Sequence, residues 1–403
     1  MKKIDVFLLL SVLGLITLGL VALYSSSYTA MSQGVGTNYF LKQLIWAIVG
    51  LAGVLIIYFI PHRWIYESAY FLFGASLFLL ILVIFFGRMG YGAERWLRVG
   101  PMVLQPSEFA KLATVLAVAR FISQDSVNLN RLKDFMLAAL FIFIPFVLIV
   151  RQPDLGTATV FVALALPMFY WAGLKGDNLF LIIMPILMAL ASTHYYAFLF
   201  LMIVLVVFLI YSQRSKMILI FNFVANIVVG LITPFLWNHL KPYQKNRIIV
   251  FLNPEADPRG AGYQIIQSKV AIGSGGFGGK GFMEGSQTQL RFLPEQHTDF
   301  IFAVVGEEFG FIGIFLGLIL FCILLMRGVN IASVSRNRFN GIVAIGIVTV
   351  IAFHAIVNIG MTIGFFPVTG LPLPFLSYGG SAMLTNMAMI GLLLNFYKNR
   401  FEY

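Results

Sequence analysis

Asp299, in the run His297-Thr298-Asp299-Phe300, stands where a long polar segment meets a hydrophobic one. A carboxylate at such a boundary, beside a histidine, can have a proton affinity that suits a general base. The alternative interpretation is structural, because an aspartate at the start of a helix also caps exposed backbone N–H groups. The local sequence leaves both interpretations open.

Glu108 and Lys111 lie three residues apart at the start of another hydrophobic stretch, so a helix would carry both charges on one face. An exposed pair of this kind contributes only about 0.2–1 kcal/mol. A charge inside a membrane span costs roughly 2.5–3.5 kcal/mol on insertion scales, so a pair retained there favours a cavity or pathway. Glu307 and Glu308 invite the same interpretation, although neighbouring cations could also neutralise them.

The run 273–281 is rich in glycine and carries Lys280. It departs from the Walker phosphate loop, because Ser274 occupies the first glycine position and Gly281 stands where Ser or Thr should bind magnesium. Glycines beside a lysine could still let backbone N–H groups approach a phosphate. We predict instead a flexible turn over the outer surface.

Composition places these residues in a membrane protein. The 403 residues are 60% hydrophobic and 11% charged, with a mean hydropathy of +0.92, well outside the range of soluble domains. A single cysteine, Cys322, excludes an intramolecular disulfide and a thiolate metal cluster. Nothing in the chain indicates a nucleic-acid partner.

Ten hydrophobic stretches are long enough to cross a bilayer, roughly over 6–24, 41–60, 68–86, 107–123, 135–150, 156–173, 217–237, 300–326, 341–361 and 375–397. The segment 179–210 is flanked by Lys175 and by Arg214 and Lys216. The positive-inside rule places both flanks in the cytoplasm, which requires a hairpin. We therefore predict twelve spans with both termini cytoplasmic.

The predicted fold is an all-α, polytopic integral membrane protein. It forms a single membrane domain over 1–403, with an inserted helical hairpin at 179–212 and a large extracytoplasmic loop at 239–299. This topology concentrates basic residues at the outer face, among them Arg95, Lys111, Lys269 and Lys280. The excess indicates either plain solvation of long loops or a basin that holds an anionic substrate.

Six motifs, spread in order over nearly the whole chain, resemble the SEDS family (shape, elongation, division and sporulation). They are 92–96 (GAERW), 105–111 (QPSEFAK), 152–156 (QPDLG), 257–264 (DPRGAGYQ), 293–300 (LPEQHTDF) and 373–380 (LPFLSYGG). The long loop resembles the rod-shape branch of the family more than its division branch. Family members usually have ten spans, so the hairpin is an insertion relative to them.

The resemblance implies a peptidoglycan glycosyltransferase that polymerises lipid II at the outer face of the bacterial cytoplasmic (inner) membrane during cell elongation and shape maintenance. It also implies a class B penicillin-binding protein, a transpeptidase, as partner, together with other membrane proteins of the elongation machinery. By motif, Asp299 matches the family's essential aspartate, the proposed base. A polymerase of the division type is the alternative within the family.

In the mechanism that fits both interpretations, Asp299 accepts the proton of the attacking sugar hydroxyl. Candidate substrate-binding residues are Lys111, Glu108, Arg95, Lys269, Lys280 and His297. The cations among these residues would hold the departing diphosphate. A divalent cation, Mg²⁺ or Mn²⁺, could help to hold it. Two rival functions are a lipid II flippase, whose charges would matter through the full depth of the membrane, and a scaffold, for which Asp299 would be dispensable.

Overall fold

Each predicted span forms a helix in the computed structural model, which describes residues 4–32, 38–90, 93–99, 102–192, 194–212, 216–239, 245–246, 249–251, 253–257 and 260–401. The long helices are α1 (Val6–Ser32), α2 (Tyr39–Phe59), α3 (His62–Phe86), α4 (Pro106–Ile122), α5 (Leu132–Arg151), α6 (Leu155–Trp171), α7 (Gly176–Ala191), α8 (Tyr195–Tyr211), α9 (Lys216–His239), α12 (Ile301–Val334), α13 (Arg338–Thr362) and α14 (Gly380–Lys398). Among the described residues, seven helices are long and apolar enough to cross a membrane, namely α1, α2, α3, α5, α9, α12 and α13. The all-α, polytopic prediction is confirmed.

Between the long helices lie shorter elements that the sequence did not reveal. Strands β1 (Arg88–Gly90), β2 (Ala93–Val99) and β3 (Met102–Leu104) form a small antiparallel sheet before α4. The predicted outer loop contains a 3₁₀ turn (Pro254–Ala256), helix α10 (Ala261–Gly275) and the one-turn helix α11 (Ser286–Gln289).

The chain divides into two compact units, residues 1–172 with 250–403, and residues 173–249. In the second unit, α7 and α8 form a helical pair packed around the buried residues Leu181, Met184, Met188, Leu205 and Leu209. In the first unit, α13 is the central helix, because 72% of its most apolar window is buried, against 44% or less in the other candidate spans. The single-domain assignment with an inserted hairpin stays a prediction.

Helix α12 is broken at Gly310, whose φ of +61° lies in the left-handed region. The break frees backbone groups that the glycine run satisfies. Lys280 N donates to Glu307 O (3.0 Å) and Gly281 N to Glu308 O (3.2 Å). Across the break, Phe311 N and Ile312 N donate to carbonyl oxygens of the run (3.0 and 3.2 Å).

The prediction of a flexible turn at 273–281 is therefore wrong. Polar backbone groups inside an apolar region must find hydrogen-bond partners. The glycine run supplies them at the break in α12 around Gly310. The backbone N–H groups of Lys280 and Gly281 are engaged by α12, so they are not aimed at a phosphate.

Candidate active site

Asp299 precedes the first turn of α12, and its backbone is fixed by long-range hydrogen bonds. Asn358, fully buried on α13, donates through Nδ2 to Asp299 O (3.0 Å) and to Leu371 O (2.8 Å). The same amide therefore joins the Asp299 segment to the segment after α13. A Cβ built on Gly370, where φ is +72°, would lie 3.7 Å from Asp299 Oδ2, so the partly exposed carboxylate faces a position without a side chain.

Further bonds align residues 297–299 with the segment 371–379. Tyr378 N donates to His297 O (2.9 Å), and the Ser377 hydroxyl donates to Thr298 O. Ser377 Oγ also accepts from Leu373 N (2.9 Å), which closes the turn of the partner segment. The orientation of Asp299 is thus set by a loop more than seventy residues away in sequence.

His297, two residues before Asp299, lies beside two aromatic rings. Its ring stacks on Tyr39 at 4.0 Å between centroids, and Tyr378 is 6.2 Å away. Burial lowers the pKa of His297 below its ordinary value, and the Glu295 carboxylate, 3.9 Å from Nε2, opposes this only in part. The imidazole is therefore neutral at neutral pH.

Glu108 and Lys111 form a buried ion pair at the start of α4, with 2.8 Å between Lys111 Nζ and Glu108 Oε1. Lys111 is 1% exposed and Glu108 3% exposed. Lys111 Nζ also lies 2.9 Å from His354 Nε2, on α13. The sequence analysis anticipated the pair but not the histidine, which lies within an apolar stretch that offers no local sign of a partner.

The hydrogen-bond roles in this triad follow once Lys111 is taken as an ammonium. An ammonium group only donates, so His354 Nε2 would accept from Lys111 and Nδ1 would carry the ring proton. Nδ1 lies 3.2 Å from Pro372 O, within hydrogen-bond distance. His354 thus links Lys111 to the 371–379 segment.

Two side chains one turn apart on α13, His354 and Asn358, thus contact the same segment. One connects it to Lys111 and the other to Asp299. The structure thus links the backbone of Asp299 and the side chain of Lys111, 188 residues apart in sequence, to neighbouring carbonyl groups of one segment. That the Asp299 carboxylate and Lys111 share one substrate site stays a prediction.

The sequence as a whole matches a family model. The family, described as cell cycle proteins of the FtsW, RodA and SpoVE type, matches residues 6–199 and 183–401. The chain belongs to this family. It is the SEDS family that the motifs resemble.

Relatives in the family align over their full length. The peptidoglycan glycosyltransferase MrdB of Escherichia coli is 38% identical over 98% of this chain and 94% of its own length. The peptidoglycan glycosyltransferase RodA of Treponema pallidum is 35% identical over 97% of this chain and 96% of its own. A chain of a peptidoglycan synthase complex, solved to describe how polymerization and crosslinking are coordinated, matches with a TM-score of 0.75 and 30% identity, covering 100% of this chain and 99% of that chain.

The other predicted substrate residues of this SEDS protein lie in different settings. Lys280 Nζ contacts Glu307 Oε1 (2.7 Å) and Ser286 Oγ (2.8 Å), so its charge is paired with a buried carboxylate. Lys269 is exposed on α10, and a Cβ built on Gly364 would lie 2.6 Å from its Nζ, so it sits just beyond the end of α13. The side chain of Arg95 lies outside the described residues. Substrate contact by these three cations stays a prediction.

The carboxylate of Glu307 is hydrogen-bonded by residues of the segment 280–288. Its carboxylate accepts from Gln287 N (2.9 Å), Thr288 N (3.0 Å) and Thr288 Oγ1 (2.8 Å), besides Lys280. These are first-turn groups of α11, so the carboxylate also caps that helix. The alternative that neighbouring cations neutralise Glu307 and Glu308 fits Glu307, which pairs with Lys280, whereas Glu308 accepts from the Ser25 hydroxyl.

Within the part of the chain that the structure describes, no three His, Cys, Asp or Glu side chains come together to hold a metal ion. The divalent cation stays a hypothesis.

Proposed function

We propose that this protein is a peptidoglycan glycosyltransferase that polymerises lipid II into β-1,4 glycan strands during cell elongation and maintenance of cell shape. The observation that carries the proposal is that a partly exposed Asp299 and a buried Lys111 are both linked to the segment that follows α13. Both are held by the same segment through Asn358 and His354. The relatives named as peptidoglycan glycosyltransferases support the reaction class.

In the proposed step, the 4-hydroxyl of a GlcNAc residue attacks the anomeric carbon of the donor sugar and inverts it. The bond from that carbon to undecaprenyl diphosphate breaks, and its electron pair leaves with the diphosphate. The hydroxyl is too weak an acid to ionise beforehand, so the Asp299 carboxylate takes its proton as the new bond forms. General base catalysis of this kind contributes about 10²–10⁴-fold.

Lys111 is the residue we assign to the developing negative charge of the diphosphate. An ammonium has three protons, and Glu108 and His354 account for two of the directions. The third is left for a phosphate oxygen. Because the group is desolvated in the free protein, its attraction to an incoming phosphate is stronger than that of a lysine in water.

We also propose the topology and partner of this multi-pass membrane protein. The active site faces the outer side of the cytoplasmic membrane, and both termini are cytoplasmic. A class B penicillin-binding protein crosslinks the product, and other membrane proteins of the elongation machinery accompany it. Support comes from the distribution of basic residues and from the likeness to a chain of a synthase complex.

Polymerisation of labelled lipid II by the purified protein with its class B partner tests the proposal. We expect Asp299→Asn to lower the rate by about 10²–10⁴-fold while the complex with the partner remains intact, because the amide cannot accept the proton. Asp125→Asn, in an exposed turn after α4, is the matched control and should polymerise like the wild type. Equal polymer from Asp299→Asn and wild type would remove Asp299 from catalysis. Absence of polymer from the wild type, beside an active control polymerase, would favour transport.

A further inference from the structure

A cavity lies at the other end of α4 from Glu108. It has a volume of about 390 Å³ and forms where α3 and α13 begin and α4 ends. Its lining residues are His62, Arg63, Tyr66, Ser123, Asn337, Arg338 and Phe339. Ligand pockets in proteins typically measure about 300–1,000 Å³, so the cavity has room for a small charged group.

The charge around this cavity is positive. Arg63 and Arg338 line it, and Arg120, one turn before Ser123, lies over the Tyr66 ring at 4.8 Å. The nearby acid is Glu67, which pairs with Arg63 at 2.6 Å. Both members of that pair are exposed, at 83% and 51% of their side chains, so water screens the pair and Arg63 can exchange its partner.

Backbone groups add to the positive potential. The helices that begin at the cavity, α3 and α13, each have 25 residues and no acidic residue in the first turn. The N-cap of α3 makes no side-chain hydrogen bond. At the start of α13, the Asn337 side chain accepts from Phe339 N (3.0 Å) and Asn340 N (3.4 Å), so of these two helices only α3 begins without a side-chain cap. One such helix N-terminus beside two arginines favours an anion over a cation or a neutral ligand.

The side chains beside the cavity are those expected at the level of lipid headgroups. Large aromatic side chains next to it, Phe59 at the end of α2 and Trp64 in the first turn of α3, are 69% and 67% exposed. Exposed aromatic residues at the ends of spans mark the boundary between hydrocarbon and water. Phe339 gives the cavity an apolar floor, because it is buried and its ring packs edge-on against Tyr66, with 5.1 Å between the ring centroids.

We infer that this cavity binds the phosphate group of an anionic phospholipid, with Arg63 and Arg338 as its ligands. The planar guanidinium groups suit phosphate oxygens, and the acyl chains of such a lipid would run along the exposed apolar side of α3. The positive-inside assignment of these arginines places the site in the cytoplasmic leaflet, opposite the proposed active site. The inference does not depend on the proposed reaction.

Native mass spectrometry of the purified protein in neutral detergent, titrated with phosphatidylglycerol or phosphatidylcholine, tests the site. Wild type should retain phosphatidylglycerol preferentially, by about tenfold or more, since each arginine near a headgroup contributes on the order of 1 kcal/mol and 1.4 kcal/mol is tenfold. Arg63→Gln with Arg338→Gln should reduce the preference to near unity. Arg131→Gln with Lys133→Gln removes the same charge from exposed positions at the start of α5, away from the cavity, and should retain it.

Four outcomes would overturn the inference. The cavity variant could bind phosphatidylglycerol like wild type, or the control could lose it equally, which would indicate non-specific charge or another occupant such as an acidic protein segment. Inorganic phosphate could displace the lipid at equal concentration, which would indicate a site for soluble phosphate. A photoreactive phosphatidylglycerol adds a measurement on the unaltered protein, which should be labelled within 62–66 or 337–339; labelling only elsewhere would also contradict the inference.

Discussion

Two side chains of α13, Asn358 and His354, position the charged residues Asp299 and Lys111. Asn358 holds two carbonyl oxygens, one of them that of Asp299 itself. His354 contacts Lys111 Nζ through Nε2 and Pro372 O through Nδ1. Neither residue needs to touch a substrate to matter, because each fixes a group that would. The two therefore act as positioning residues for the proposed base and the proposed anion-binding lysine.

His354 gives a direct test of that role. His354→Gln can still accept from Lys111 and donate to Pro372 O, whereas His354→Leu can do neither. A hydrogen bond to a charged group is worth about 1.5–3 kcal/mol, so we expect the leucine variant to lose about 10–100-fold in kcat/KM of lipid II polymerisation. The glutamine variant should stay within a few-fold of wild type.

The measurement is made per folded protein, with thermal unfolding of each variant as the control. If His354→Leu unfolds at a lower temperature but keeps the kcat/KM of wild type, the histidine serves stability alone and the positioning role is wrong.

His297 makes stability depend on pH. Burial lowers its pKa in the folded protein below the ordinary value of 6.5, so the unfolded chain binds a proton that the folded chain resists. Where the unfolded state binds more protons, the free energy of unfolding falls as pH falls. The loss begins below about pH 6.5 and continues to the lower, folded-state pKa.

Thermal unfolding midpoints between pH 8 and pH 5 measure this effect. The wild type should lose stability towards pH 5, and His297→Gln, which cannot titrate, should lose less over the same interval. Parallel curves for the two proteins would assign the pH dependence to other groups.

At the scale of elements, α12 is two helices joined at Gly310, and the outer segment completes it. The run 273–281 bonds to both sides of the break, while Glu307 binds Lys280 and the first turn of α11. Since Asp299 stands two residues before α12, the glycine run also supports the helix that carries the proposed base. The segment 273–289 is therefore part of the helical fold rather than an appendage to it.

Gly279, like Gly275, is a position where this packing is tightest. Its φ is +84°, and a Cβ there would lie 2.0 Å from Glu308 O, a backbone atom. The left-handed conformation alone costs an alanine about 1–2 kcal/mol, and the close contact adds to it. We expect Gly279→Ala to lower the unfolding temperature and the polymerisation rate together.

Gly278→Ala is the matched control, because a Cβ at Gly278 meets no atom within 4 Å. That variant should behave like wild type in both measurements. Equal behaviour of the two alanine variants would show that the run does not hold the broken helix.

At the scale of the molecule, buried charges of the first unit connect helices that are far apart in sequence. Helix α1 is joined to α12 at two places. Asp5 pairs with Arg327 (2.6 Å), and the Ser25 hydroxyl donates to Glu308. The second unit, α7 to α9, has an apolar core of its own.

The sequence by itself determined where the long apolar helices lie, because a hydrophobic run can be located from the sequence alone. It also singled out Asp299, Glu108 and Lys111, because a charge at or within a span is costly and is retained for a reason. The motifs indicated the family. These inferences rest on residues that are close together in the chain.

Only the tertiary structure decided the roles of His354, Asn358 and the glycine run. Their hydrogen-bond partners lie 243 residues away for His354 and Lys111, 59 for Asn358 and Asp299, and 27 for Lys280 and Glu307. A histidine or an asparagine in an apolar helix has no sign of its partner in the local sequence, since the partner is supplied by whichever helix packs against it. The same holds for a glycine run, which is a loop until a broken helix is found beside it.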